Sequence, residues 1–171
     1  SDVLNTDEDT ASSAVSFSAS DADGDTLYYS FSTPSKGTVA DNGNGTYTYM
    51  PNANENGTDS FTITVNDGTV HVSQTVDVTI NAVNDPPVLT TSATLSMDED
   101  SARSEVTFSA TDVDGDTLTY SFSTPSKGTV ADNGNGTYNY TPDANVNGSD
   151  SFTISANDGT VDTIKTINVT V

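Results

Sequence analysis

The run DADGDTL, beginning at Asp21, returns as DVDGDTL at Asp112, and the same offset of 91 residues holds along nearly the whole chain. It carries TPSKGTVADNGNGTY from Thr33 to Thr124, DSFTI from Asp59 to Asp150 and NDGTV from Asn66 to Asn157. About two-thirds of the aligned positions are identical, without a gap. Two such copies must share one fold, so the 171 residues divide into two small modules rather than one large domain. The boundaries read as 1–83 and 88–171, with a short linker at 84–87. The first copy starts part-way along its opening strand, because Leu4 aligns with Leu95.

Within each copy the apolar residues alternate. Val15, Phe17 and Ala19 stand between serines; Leu27, Tyr29 and Phe31 repeat the pattern, followed by Tyr47 and Tyr49, by Phe61, Ile63 and Val65, and by Val76, Val78 and Ile80. A period of two puts alternate side chains on one buried face of a strand. Asn42–Gly45, Asn-Gly-Asn-Gly, lies between two short strands as a tight hairpin, since both residue types tolerate positive φ. With Val3–Asn5 and a short strand at Val39, seven strands result, lettered A to G, and no stretch carries a helical period. The expectation is all-β: two tandem seven-stranded Greek-key sandwiches of immunoglobulin-like type, arranged end to end. No cysteine staples them.

The charge is lopsided, with 25 Asp and Glu against four Lys and Arg and a formal net charge of −21. Phosphate backbones and anionic lipid are repelled by such a surface, so nucleic acid and direct membrane contact drop out as partners. No apolar run approaches the roughly 20 residues of a membrane span, and SDVLNTDEDT reads as the cut end of a longer protein.

The acids gather in turns. In an immunoglobulin-like strand order, loops B–C, D–E and F–G share one pole, and A–B, C–D and E–F share the other. Asp112, Asp114 and Asp116 (B–C) then join Asp158 (F–G) at the pole of copy two that faces copy one. Asp7, Glu8 and Asp9 (A–B) and Asp59 (end of E–F) lie at the facing pole, with Asn84 and Asp85 between. Convergent carboxylates raise one another's pKa unless a cation intervenes. Calcium suits them, because it takes six to eight oxygen ligands in loose geometry, whereas zinc wants nitrogen or sulfur. For any single loop the alternative stands that Asp-Gly pairs simply turn well.

The linker VNDPPV, the loop DxDGDTL, the DED before strand B, the strand G-[ST]-D-S-F-T-I and the NDG loop together resemble bacterial cadherin-like repeats. Such repeats occur in series in large surface adhesins and in some secreted polysaccharide-active proteins. The resemblance implies calcium between successive domains, held by Glu8, Asp59, Asn84, Asp85, Asp112, Asp114 and Asp158. Ala82 and Pro86 replace residues that animal cadherins use around the linker, which implies fewer ions here. Two half-sites remain: Asp21, Asp23 and Asp67 in copy one, and Asp98, Glu99, Asp100 and Asp150 in copy two, which neighbouring repeats would complete.

A helix–loop–helix calcium loop is excluded, since its sixth and twelfth positions are Thr26 and Ser32, or Thr117 and Ser123. His71 aligns with Asp162 and reads as a surface residue, and Tyr28, out of phase with its neighbours, should face solvent. No nucleophile–base–acid set is visible, so no enzyme activity is expected. The expected function is a calcium-stiffened extender in an extracellular, secreted or surface adhesin. The alternative is a calcium-dependent doublet that binds polysaccharide or like domains on other cells.

Overall fold

The structure, a computed structural model, describes residues 2–101 and 104–171. The chain divides into two units, residues 1–83 and 84–171. Unit 1 contains β1 (Asp2–Asp7), β2 (Val15–Ser16), β3 (Tyr28–Phe31), β4 (Gly37–Asp41), β5 (Thr46–Pro51), β6 (Gly57–Asn66) and β7 (His71–Asn81). These form a four-stranded sheet in the order β1-β7-β6-β3 and a three-stranded sheet in the order β2-β5-β4. The opening strand β1 runs parallel to β7, with Leu4 opposite Val78, and the remaining pairs are antiparallel.

Unit 2 contains β8 (Val88–Thr91), β9 (Thr94–Ser96), β10 (Ser104–Thr111), β11 (Thr119–Phe122), β12 (Gly128–Asp132), β13 (Thr137–Pro142), β14 (Ser149–Asn157) and β15 (Asp162–Thr170). Its sheets run β12-β13-β10-β8 and β11-β14-β15-β9. The opening strand is therefore broken in two. Its first half pairs antiparallel with β10 and its second half pairs parallel with β15, so one strand serves both layers. The seven-strand reading has a single opening strand here, whereas the short step through Ser92 and Ala93 changes sheets.

The alternation places the core. Leu4, Tyr47, Tyr49, Phe61, Val76, Val78 and Ile80 fill unit 1, and Leu89, Phe108, Tyr138, Tyr140, Phe152, Ile154, Ala156, Ile167 and Val169 fill unit 2. Aromatic rings supply much of the buried area. Phe61 stacks on Tyr49 at 6.2 Å and meets Tyr47 edge-on at 5.4 Å, and Phe152 repeats both contacts with Tyr140 and Tyr138. Such pairs add about 0.5–1.5 kcal/mol each beyond the area they bury. Tyr28 is exposed, as its phase requires. In the β4–β5 hairpin Gly43 and Gly45 take the positive φ while both asparagines keep ordinary backbone angles.

Gly37 opens β4 beneath the ring of Tyr49. A Cβ there would stand 2.5 Å from the ring's Cζ and 2.6 Å from the Met50 carbonyl oxygen; Gly128 is as tightly held under Tyr140. Gly37→Ala should therefore displace the tyrosine and destabilise unit 1 by about 2 kcal/mol or more. Urea unfolding of the variant against the parent chain checks this.

Candidate metal centre

In unit 2 the B–C loop winds around Asp112. Its Oδ1 accepts the N–H of Asp114 at 3.0 Å and of Asp116 at 3.3 Å, an Asx-type turn that needs Gly115 at φ 79°. The turn aims three carboxylates at one point: one oxygen each of Asp112, Asp114 and Asp116 lies within 4.8 Å of the others. The second oxygen of Asp112, Oδ2, is buried and has no hydrogen-bond donor. A buried anionic oxygen without a donor is costly unless a cation meets it.

The residues that open unit 2 fold onto the same pole. The Asn84 amide donates to Asp158 Oδ2 at 2.9 Å, and the Asp85 N–H donates to Asp114 Oδ2 at 2.8 Å. Asp158 is buried, and its Oδ1 accepts the N–H groups of Thr160 and Val161 at 2.6 and 2.7 Å. The Asn84 amide first, and then these backbone donors, hold its carboxyl below the usual carboxylate range. Asn84, Asp85, Asp112, Asp114, Asp116 and Asp158 thus share one pole, as the strand order implied, and all of them are hard oxygen donors. The donor set fits calcium.

Unit 1 repeats the loops. Asp21 Oδ1 accepts the N–H groups of Asp23 and Asp25 at 2.8 and 3.2 Å, and Asp67 Oδ1 accepts those of Thr69 and Val70. The Val70 and Thr69 N–H groups hold the Asp67 carboxyl below its ordinary value. At the other pole of unit 1, Glu8 is 2% exposed. Its Oε1 accepts the Val83 N–H at 2.6 Å, and the Asn56 amide reaches Oε2 at 3.4 Å. The turn around it is fixed by the Asn54 N–H, which donates to Asp9. Asn56 is not among the ligand positions that the resemblance implies, although Asn147 occupies the matching place in the second copy. Asp98, Glu99 and Asp100, the counterparts of Asp7, Glu8 and Asp9, are exposed.

Asp59 is engaged elsewhere. Oδ1 accepts the Ser35 N–H, the Ser35 hydroxyl and the Ser60 N–H at 3.1, 2.8 and 2.9 Å. Oδ2 accepts the Lys36 N–H at 2.8 Å and the Tyr49 hydroxyl at 2.7 Å. Asp150 makes the equivalent bonds to Ser126, Lys127 and Tyr140. Burial pushes the Asp59 carboxyl up, but these donors, Tyr49 foremost, outweigh it and hold it down at about 2. Burial and the same bond push the Tyr49 hydroxyl above its usual value. The two oxygens of Asp59 are thereby committed to the C–D turn and to β5.

A family model for the bacterial cadherin-like domain matches residues 1–82 and again 84–171. The chain belongs to that family. A curated relative, chitinase A of Pseudoalteromonas piscicida, is 34% identical over 116 residues; the match covers 66% of this chain and 14% of the chitinase. Among solved structures, human protocadherin-24 EC1-2 (form II) superposes with a TM-score of 0.55 at 20% identity, covering 99% of this chain and 93% of that one. Drosophila N-cadherin EC1-4 gives 0.53 at 17% identity, covering 99% and 47%. At these identities the structural likeness concerns the fold.

The Asp59 clamp has a pH signature. A carboxyl held below its unfolded value near 3.9 stabilises the fold above about pH 4, and that contribution is lost as pH falls toward about 2. Tyr49→Phe removes the foremost donor, so the Asp59 pKa should rise and the acid-side loss of stability begin at higher pH. Urea midpoints of both proteins in EDTA, taken between about pH 2 and pH 7, check the shift.

Proposed function

We propose that this cadherin-like pair is a non-catalytic, extracellular spacer whose two repeats are locked by calcium. The observation that carries the reading is the buried, donorless Oδ2 of Asp112 beside Asp114 and Asp116. Asn84, Asp85, Asp112, Asp114 and Asp158 of unit 2 would hold the ion, with Glu8 as the first donor from unit 1. Glu8 is preferred to Asp59 because Asp59 already serves five donors, while the buried Glu8 has two bonds, one of them long. Bound calcium would cancel repulsion among these carboxylates and tie the linker to both repeats, turning a hinge into a fixed angle. Pro86 and Pro87 already restrict the backbone there. The outer sets, Asp21, Asp23 and Asp67 in unit 1 and Glu99 and Asp150 in unit 2, would meet neighbouring repeats, with Asp150 held back by its clamp.

The relation to a chitinase supports a second reading, in which the pair also holds polysaccharide. An aromatic row shared by both repeats would favour it, yet the exposed Tyr28 has Thr119 as its counterpart. Retention on insoluble chitin in calcium, abolished by EDTA, would favour this reading over spacing.

Small-angle X-ray scattering in EDTA and then in millimolar calcium tests the main proposal. A change from a broad to a stiff, extended particle is expected, and an unchanged profile would overturn it. Asp114→Asn should weaken calcium about tenfold or more by calorimetry, roughly 1.4 kcal/mol, while the far-ultraviolet spectrum in EDTA stays that of the parent. A variant already unfolded in EDTA would show that Asp114 serves the fold rather than the ion.

A further inference from the structure

The β4–β5 and β12–β13 hairpins carry one sequence, Asp-Asn-Gly-Asn-Gly-Thr-Tyr, at residues 41–47 and 132–138. An asparagine followed by glycine is chemically unstable, because the next residue has no Cβ to keep its main-chain nitrogen away from the asparagine carboxamide. By sequence Asn42, Asn44, Asn133 and Asn135 are therefore alike, and all four are exposed. Their hydrogen bonds make them different.

Asn42 is held at both ends. Its amide donates to the Thr46 and Thr48 hydroxyls at 2.8 and 3.0 Å, and its oxygen accepts from the Thr48 hydroxyl at 3.3 Å. The nitrogen that would attack it, that of Gly43, donates its proton to Asp41 Oδ1 at 2.9 Å. Asn133 and Gly134 repeat this with Thr137, Asn139 and Asp132. Asn44 is arranged the other way. Its Oδ1 accepts the Thr46 N–H at 3.2 Å and the Thr46 hydroxyl at 2.7 Å, which folds the carboxamide back over the Gly45 peptide. Among the described residues nothing accepts the Gly45 N–H. The remaining Asn-Gly pairs, at Asn56 and Asn147, lead into strand pairing: Gly57 pairs with Ile80, and the Gly148 N–H donates to the Val171 carbonyl at 2.9 Å.

We propose that Asn44 is a site of self-modification through a succinimide, which turns it into aspartate or β-linked aspartate. The Gly45 nitrogen attacks Asn44 Cγ. The new N–C bond replaces the Cγ–Nδ2 bond, and the Gly45 proton leaves with Nδ2 as ammonia. Water then opens the five-membered ring at either carbonyl. The two Thr46 donors polarise the carboxamide and meet the negative oxygen of the tetrahedral step, as an oxyanion hole does. Asn135 has the same donors, the Thr137 N–H at 3.1 Å and hydroxyl at 2.7 Å, but Glu105 Oε1 stands 3.0 Å from that hydroxyl. A hydroxyl has one proton, and a carboxylate competes for it better than an amide oxygen does. The Glu105 charge also opposes a second anionic oxygen beside it. Ala14 holds the matching place in unit 1. Asn44 is thus the fast site and Asn135 the slow one. Each event adds a negative charge at the hairpin tip, and the β-linked product puts an extra main-chain carbon ahead of β5.

The test incubates the whole folded chain in mildly alkaline buffer with EDTA and follows each asparagine by fragmentation mass spectrometry of tryptic peptides. Cleavage after Lys36 and Lys127 puts the two hairpins in separate peptides. Asn44 should convert about tenfold faster than Asn42, and several-fold faster than Asn135. In denaturing guanidinium chloride Asn44 and Asn135 should convert alike. Glu105→Ala, which copies the residue unit 1 already carries, should raise Asn135 to the Asn44 rate and leave Asn44 unchanged. Thr46→Val should slow Asn44 about tenfold. Equal folded rates at Asn44 and Asn135, or a faster Asn42, would overturn the site. A Thr46→Val chain that converts Asn44 as fast as the parent, or an Asn135 unmoved by Glu105→Ala, would overturn the activation by the threonine hydroxyl.

Discussion

Tyr49 lies on β5, in the three-stranded sheet of unit 1, and Asp59 lies on β6, in the four-stranded one. The 2.7 Å bond between them therefore joins the two layers of the sandwich, and Tyr140 and Asp150 join those of unit 2. A chain without cysteine has no covalent tie to do this. The bond is charge-assisted, which makes it stronger than one between neutral groups. Much else depends on where it lies. The tyrosine ring sets the stacking of Phe61, requires glycine at position 37, and leaves the carboxylate free to gather the Ser35 and Lys36 backbone.

Around that tie the few basic residues have particular work. Lys36 Nζ donates to the Asn56 carbonyl and Lys127 Nζ to the Asn147 carbonyl, so each repeat uses one lysine to fasten its E–F loop. The nearby ion pair of Lys36 with Glu55, at 4.0 Å and exposed, adds little to stability. The backbone bond has the larger structural consequence, because it fixes the loop that carries Asn56 toward Glu8. Acidic surface and sparse lysines are thus parts of one arrangement: cations are placed where a loop must be closed, and the remaining negative charge stays in the turns.

The strand pattern was legible because period-two alternation is local, and it located the core tyrosines and phenylalanines and the exposed Tyr28. Pairing is not local. Nothing in Leu89–Leu95 marks the residue at which the opening strand changes sheets. The acidic pole of unit 2 was legible to a similar depth. Repeated Asp-x-Asp loops and the linker Asn-Asp pair announced one acidic pole, and the structure groups Asn84, Asp85, Asp112, Asp114 and Asp158 there. The duty of Asp59 could not be read, since a carboxylate at the start of a strand looks alike whether it faces solvent or accepts bonds from Ser35, Lys36, Tyr49 and Ser60.

Asp112 divides its two oxygens between separate tasks: one shapes the loop by accepting backbone N–H groups, and the other stands bare. An asparagine amide could inherit the first task but not the charge that gives the second its meaning. On the calcium reading proposed above, the architecture and the ion affinity of a repeat could therefore drift apart through a single substitution. In a long series of such modules, evolution could set bending stiffness joint by joint, leaving every sandwich intact while choosing which of them yield under load.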